Sequence, residues 1–219
     1  MCWLLKSTDG YSSIRIETAS VPGVVCPACK KTWAIVTRMP KKFGISIPSI
    51  PKRGLCTPAV LNEIFEFITE EVGGDARGFL APGMTFGPAK ISGLFNTKWR
   101  TEVQWFGGCR FFMGTELAER LQAACGSALV WEKIYPDSTD ILEALPFVLD
   151  RDRVFPELIC SVCGSRNTNI LDWAYVNDFI KNHINTIHLI NTPHGIVCSN
   201  IVYCALNGVS GVVFERLQT

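Results

Sequence analysis

Two C-x-x-C pairs, Cys26-Pro27-Ala28-Cys29 and Cys160-Ser161-Val162-Cys163, stand at opposite ends of the chain, with all of residues 30–159 between them. Two residues between cysteines form a tight turn that lets both sulfurs face one point, while the amides of the turn can donate to the thiolates. Two such turns supply the four sulfurs of a tetrahedral site, which suits zinc. Cys26, Cys29, Cys160 and Cys163 are therefore the expected ligands of one structural Zn2+. Gly164 follows the second pair, where such a turn often needs a positive φ, and Lys30 holds the equivalent place after the first. A compact zinc ribbon uses far less chain between its pairs. Here the site must tie an early segment to a late one. Closing so long a loop constrains the unfolded chain strongly, so losing the metal is expected to cost stability.

Three other readings compete with zinc. A redox dithiol needs a C-x-x-C that opens a helix after a strand, with a lowered thiol pKa, and neither pair has that setting. Five disulfides are open to ten cysteines only in an oxidising compartment. Plain burial is the third. The remaining cysteines, Cys2, Cys56, Cys109, Cys125, Cys198 and Cys204, have no ligand spacing, and Cys125 and Cys204 are expected in helices as small core residues. His183 and His188 are five apart and do not share a helix face cleanly. With His194 they are expected to be solvated or core side chains.

Apolar residues make up 47% of the 219 residues, enough to bury a core. The formal net charge is +1, from 21 basic and 20 acidic residues, which disfavours general nucleic-acid binding. No apolar run reaches the length of about 18 residues that a membrane span needs. The opening Met1-Cys2-Trp3-Leu4-Leu5-Lys6 lacks the pattern of a signal peptide, so a cytoplasmic location is expected.

Residues 11–18 and 32–38 read as strands, and 39–56 as a proline-rich connection. The clearest helix is 58–72, with Thr57 as cap, Pro58 at the first position and Gly73-Gly74 as stop. Val60, Leu61, Ile64, Phe65, Ile68 and Val72 form its apolar stripe, with Glu63, Glu66, Glu70 and Glu71 lying mostly away from it. Residues 79–95 read as turns, followed by strand-like runs at 99–106 and 110–113. A second helix is expected over 116–125, capped by Thr115, stopped at Gly126 and burying Leu117, Leu121 and Ala124. A strand over 128–135, a helix over 200–206 capped by Ser199, and a final strand over 209–217 complete the pattern. Helices and strands mix without a βαβ rhythm, so the expected fold is α+β. It would be a single domain over 1–219 with a mixed or antiparallel sheet and a zinc-ribbon-like site of four cysteines joining early and late segments.

No catalytic motif stands out. There is no G-x-S-x-G, H-E-x-x-H or P-loop. Four thiolates close the shell of a zinc ion, whereas a catalytic zinc keeps one position open. The acidic cluster Asp137, Asp140, Glu143, Asp150, Asp152 and Glu157 reads first as a solvated face. The chain is therefore not expected to be an enzyme.

The stretch from Pro22 to Ala34, centred on Cys26-Pro27-Ala28-Cys29, resembles the first signature of the double-CXXCG motif family. Pro82-Gly83-Met84-Thr85-Phe86-Gly87-Pro88 with Gly93 is similar to its middle signature, and 116–123 to its next segment. Cys160-Ser161-Val162-Cys163-Gly164 matches its second motif, and 206–215 resembles its closing strand. The likeness runs in order over nearly the whole chain. The chain departs from the family at Lys30, where the first motif has glycine, and lacks the aromatic-rich "NPW" segment near 96–106.

The resemblance implies an immunity protein of a contact-dependent or secreted toxin system, serving in interbacterial competition. Such a protein neutralises a cognate toxin by binding it, as a heterodimer, and covering its active site. A cytosolic inhibitor implies a toxin acting in the cytosol, a nuclease in the first instance. Acidic side chains would then face its basic groove. Two acidic faces are candidates: Glu63, Glu66, Glu70, Glu71 and Asp75, or the segment with Asp137 and Asp140. Trp99, Trp105 and Phe106 are candidate aromatic anchors, with a place in the core or on the plain surface as the competing assignment. No direct contact with nucleic acid or membrane is expected. The alternative reading is a zinc-ribbon-like regulatory protein that binds nucleic acid.

Overall fold

The computed structural model describes residues 1–8, 16–34, 54–73, 80–91, 101–106, 110–133, 141–154, 160–165 and 171–217. In chain order these form β1 (Cys2–Ser7), β2 (Ile16–Ser20), β3 (Gly23–Val25), β4 (Thr32–Trp33), β5 (Leu55–Cys56) and α1 (Pro58–Val72). Then come β6 (Thr85–Ile91), β7 (Val103–Phe106), β8 (Arg110–Gly114), α2 (Thr115–Cys125), β9 (Val130–Lys133), β10 (Ile141–Leu145) and β11 (Phe147–Val148). The chain closes with α3 (Arg151–Val154), α4 (Trp173–Ile187), β12 (Leu189–Thr192), β13 (Gly195–Ser199), α5 (Asn200–Leu206) and β14 (Val212–Arg216). The fold is α+β with mixed and antiparallel sheets, as the sequence predicts. The chain divides into two compact units, each assembled from separate segments.

The first unit takes Met1–Glu17, Pro88–Val148 and Asn177–Thr219. It holds a five-stranded sheet in the order β11-β12-β13-β1-β14 and a four-stranded antiparallel sheet in the order β7-β8-β10-β9. In the larger sheet only β11 and β12 run parallel; β1 is central, pairing with β13 (Leu4↔Val197) and β14 (Leu5↔Phe214). The helices α2 and α5 pack on each other. Their inner residues Leu117, Leu121, Val202 and Leu206 meet Leu5, Phe111, Met113, Ile196 and Cys198 in one core.

Several expectations change in this unit. Trp105 is 1% exposed and its Nε1 donates to the Gly211 carbonyl at 2.8 Å, so it is a core residue and presents no surface to a partner. The α2 helix starts after Gly114 with Thr115 as its first residue, and Ala118 and Cys125, not Ala124, complete its buried side. Cys204 lies on the exposed side of α5. The expected final strand begins only at Val212, because residues 207–211 form turns.

The second unit takes Thr18–Gly87 and Leu149–Val176. Its sheet has the order β4-β3-β5, antiparallel between β3 and β4 and parallel between β3 and β5. The α1 helix matches its predicted span. Thr57 Oγ1 accepts from the Val60 amide at 3.5 Å, and the Gly73 amide, at φ 95°, donates to the Thr69 carbonyl at 2.8 Å. Leu61 and Ile68 are buried and Ile64 and Phe65 half-buried, but Val60, expected in the stripe, faces outward at 39% exposure. β2 and β6 pair as a separate two-stranded sheet. Among the described residues, no helix is long and apolar enough to cross a membrane.

Candidate metal centre

The four expected ligands lie in the second unit. β3 delivers Cys26 into a turn over residues 27–29, and Lys30 then adopts φ 60°. That left-handed step reverses the chain. The Cys26 amide donates to the Lys31 carbonyl at 2.9 Å, and β4 returns alongside β3. The second pair repeats the pattern. The Cys160 amide donates to the Ser165 carbonyl at 2.8 Å, and Gly164 sits at φ 67°. In each turn the first cysteine bonds to the carbonyl five residues ahead, and the residue after the second cysteine supplies the positive φ. The Ser165 amide also donates to Cys163 Sγ at 3.4 Å.

The four sulfurs converge. Cys26 and Cys160 Sγ are 3.9 Å apart, Cys29 and Cys163 Sγ are 3.7 Å apart, and all four lie within 4.8 Å of one another. A tetrahedral ion with metal–sulfur bonds of about 2.3 Å holds its sulfurs roughly 3.8 Å from each other. The set therefore has the dimensions of a four-thiolate metal site. These spacings are well beyond a disulfide bond of about 2.05 Å, and all four are free thiols. Neither turn runs into a helix among the described residues, which removes the setting of a redox dithiol.

The electrostatics favour thiolates on the first cysteine of each pair. The Cys29 amide, helped by that of Ala28, lowers the Cys26 pKa. The Cys163 and Val162 amides bring Cys160 down to about 7. Burial pushes Cys163 up to about 12 in the metal-free chain, so a cation is needed to draw off that proton at neutral pH. Cys26 and Cys163 are buried and Cys29 and Cys160 half-buried.

The site is part of the unit's core. Cys26 and Cys163 belong to one apolar cluster with Val24, Leu61, Ile68, Leu80 and Met84, against which Cys29, Cys160, Ile64 and Phe65 also pack. The inner face of α1 and the sulfurs thus share one interior. Among the described residues this is the one group of three or more Cys, His, Asp or Glu side chains close enough to share an ion.

Of the other cysteines, Cys2, Cys125 and Cys198 are buried and Cys56 is half-buried. Burial raises the pKa of Cys56, of Cys125 (to about 11) and of Cys198. Cys109 lies outside the described residues. His183 is exposed and His188 buried, in keeping with solvated and core roles.

The proposed partner-facing residues are spread unevenly. Glu63, Glu66, Glu70 and Glu71 are all exposed on α1. Asp75, Asp137, Asp140 and Trp99 lie outside the described residues. Within the second acidic segment, Glu143 is not at the surface at all. It is 1% exposed and ion-paired with Arg110 at 2.6 Å, an arrangement the sequence does not signal because the two residues sit on different strands. No family model, curated protein or solved structure matches the chain.

Proposed function

We propose that Cys26, Cys29, Cys160 and Cys163 hold one structural Zn2+, and that the chain is an immunity protein that neutralises a cognate toxin by binding it. The observation that carries this reading is the closed set of four sulfurs at tetrahedral spacing. Zinc takes four thiolates at these distances without geometric strain and contributes directly to folding energy. Four protein sulfurs fill all four positions, which suits a scaffold and leaves none for a substrate. A zinc-stapled scaffold with an exposed acidic helix fits a cytoplasmic inhibitor that covers the groove of a nuclease, the mechanism implied by the likeness to the double-CXXCG motif family.

The test is co-expression with the product of the adjacent reading frame, followed by purification and zinc quantification. A stoichiometric complex with about one zinc per chain is the expected result. Zinc without a partner moves the weight to a nucleic-acid-binding role, which a salt-dependent gel shift then reads. Neither zinc nor partner overturns both parts of the reading.

A further inference from the structure

The four sulfur-bearing residues of the second unit differ in their access to solvent. Cys26 and Cys163 are 1% and 2% exposed, while Cys29 and Cys160 are half-buried. Cys160 opens a turn whose next residues, Ser161 and Val162, are exposed, so it stands at the rim of the site. The Val162 and Cys163 amides donate to the Cys160 sulfur, and the Ala28 and Cys29 amides to that of Cys26. These two sulfurs are also 3.9 Å apart. Their contact joins one turn to the other, as does the Cys29–Cys163 contact at 3.7 Å.

A bound zinc ion holds all four sulfurs as thiolates, the form that oxidants attack. A disulfide bond measures about 2.05 Å, so Cys26 and Cys160 have only about 2 Å to close. A thiolate at the rim with a second thiolate at that distance has its resolving partner in place. This pair is unlike a redox dithiol of the C-x-x-C kind, because it spans the two turns and does not lie within one. A bond formed across the turns also ties the early segment of the unit to the late one, which is what the metal does.

We propose that Cys160 is an oxidation site for hydroperoxides, and that Cys26 resolves it to a Cys26–Cys160 disulfide with release of the zinc ion. This rests on the zinc reading and adds a chemical response to it. The Cys160 thiolate attacks one peroxide oxygen, the O–O bond breaks, hydroxide leaves and a sulfenic acid forms. The Cys26 thiolate then attacks the Cys160 sulfur, the S–O bond breaks and a second hydroxide leaves. Two electrons pass from the sulfurs to the peroxide. Cys29 and Cys163 alone do not complete the shell of the ion, which passes to solvent as they take up protons. The disulfide closes the same long loop as the metal, so oxidation exchanges one staple for another. A dithiol reductant, with zinc supplied, reverses the exchange.

The test treats the purified, zinc-loaded full chain with hydrogen peroxide. A chromogenic chelator follows zinc, alkylation counts thiols, and a non-reducing peptide map locates the bond. The expected result is release of the bound zinc together with loss of the Cys26 and Cys160 thiols, a Cys26–Cys160 cross-link, and recovery of both thiols with dithiothreitol. The oxidised, zinc-free chain should melt at a higher temperature than the reduced chain stripped by a chelator. Cys204, exposed on α5, is the internal comparison, and Cys204→Ser should release zinc at an unchanged rate. Zinc that stays bound while Cys204 oxidises overturns the proposal and leaves the zinc reading standing. So does a cross-link within one C-x-x-C, or an oxidised chain that melts no higher than the stripped one. A chain that carries no zinc before peroxide is added overturns the zinc reading and the switch with it.

Discussion

Lys30 and Gly164 hold equivalent places in two sulfur-bearing turns, at φ 60° and 67°, each directly after the second cysteine of its pair. The turn demands a left-handed residue whatever the side chain. Glycine adopts that conformation freely, whereas an L-residue does so at a cost of about 1–2 kcal/mol. Glycine also has more backbone freedom to lose on folding, which offsets part of the gain. Lys30→Gly should therefore stabilise the metal-loaded protein by roughly 0.5–1 kcal/mol, and Gly164→Lys should destabilise it by a similar amount. Thermal melts of the two variants at fixed metal decide this. A lower melting temperature for Lys30→Gly would count against the equivalence of the two turns.

Because the sulfurs belong to the core of the second unit alone, metal loss should act selectively. Cys26 and Cys163 pack with Leu61 and Ile68, while β1, β13, α2 and α5 draw on a different core. Cys160→Ser, or a chelator, should raise hydrogen exchange in β3 and α1 and lower the melting temperature. Amides of β1 and β13 should keep their protection. Uniform loss across the chain, or none anywhere, would contradict this division.

Metal uptake should depend on pH through two unlike thiols. In the metal-free chain the Cys163 and Val162 amides hold Cys160 at about 7, and burial holds Cys163 at about 12. A cation must displace the Cys163 proton throughout the neutral range, but the Cys160 proton only below about 7. The protons released per ion should therefore fall as pH rises through 7, and apparent affinity should weaken as pH drops. Calorimetry in buffers of different ionisation enthalpy counts those protons. Equal counts at pH 6 and pH 8 would remove the assignment of Cys160 as the readily ionised sulfur.

What the sequence reveals follows from how local each signal is. The α1 helix is punctuated at both ends, by Thr57-Pro58 and Gly73, so its span can be read directly. The cysteine pairs are legible because spacing within each turn is local, and only their meeting across residues 30–159 needs the fold. The α4 helix carries a signal at one end only, Asp172, whose Oδ1 accepts from the Tyr175 amide at 2.9 Å. Its sequence holds three asparagines and three isoleucines, which favour helix weakly, and its buried positions Val176, Ile180 and Ile184 form a narrow stripe. It is helical because that stripe is buried. β1 is silent: Cys2–Ser7 becomes the middle of a sheet only through partners at 196–199 and 212–216. Trp105 lies among glycines, so its sequence setting leaves partner anchor, plain surface and core all open, and only the fold, which brings the Gly211 carbonyl to its Nε1 from the far end of the chain, decides for the core. For the same reason Glu143 reads as one more acidic surface residue.

The pairing of Glu143 with Arg110 has a measurable consequence. Arg110 Nε and Nη2 donate to the two carboxylate oxygens at 2.6 and 2.8 Å, both side chains are at most 2% exposed, and the guanidinium lies over the rings of Phe106 and Phe112. Two charges out of water stabilise little in net terms, but removing one strands the other. Glu143→Ala should cost about 3–5 kcal/mol, whereas Arg110→Met/Glu143→Leu should cost much less than either single change. Denaturant melts of the three variants test this, with metal content as a control that the second unit is intact. Additive losses in the double variant would show that the pair is not coupled.

His188 gives the first unit an acid sensitivity of its own. It is buried at φ 65°, its Nδ1 lies 3.0 Å from Ser199 Oγ, and its carbonyl accepts from the Ser199 amide. The same Ser199 hydroxyl accepts from the Val202 amide and so caps α5. Burial lowers the His188 pKa below its usual 6.5, so the folded chain keeps the ring neutral where the unfolded chain takes up a proton. The resulting stability is fully present above 6.5 and is lost as pH falls through the folded value. Acidification from pH 7 to pH 5 should therefore lower the hydrogen-exchange protection factors in β12, β13 and α5, a region whose core excludes the metal ligands. His188→Asn tolerates the left-handed backbone and carries no titrating group, so it should flatten that pH dependence. The same acid sensitivity in the variant would assign the effect to another group.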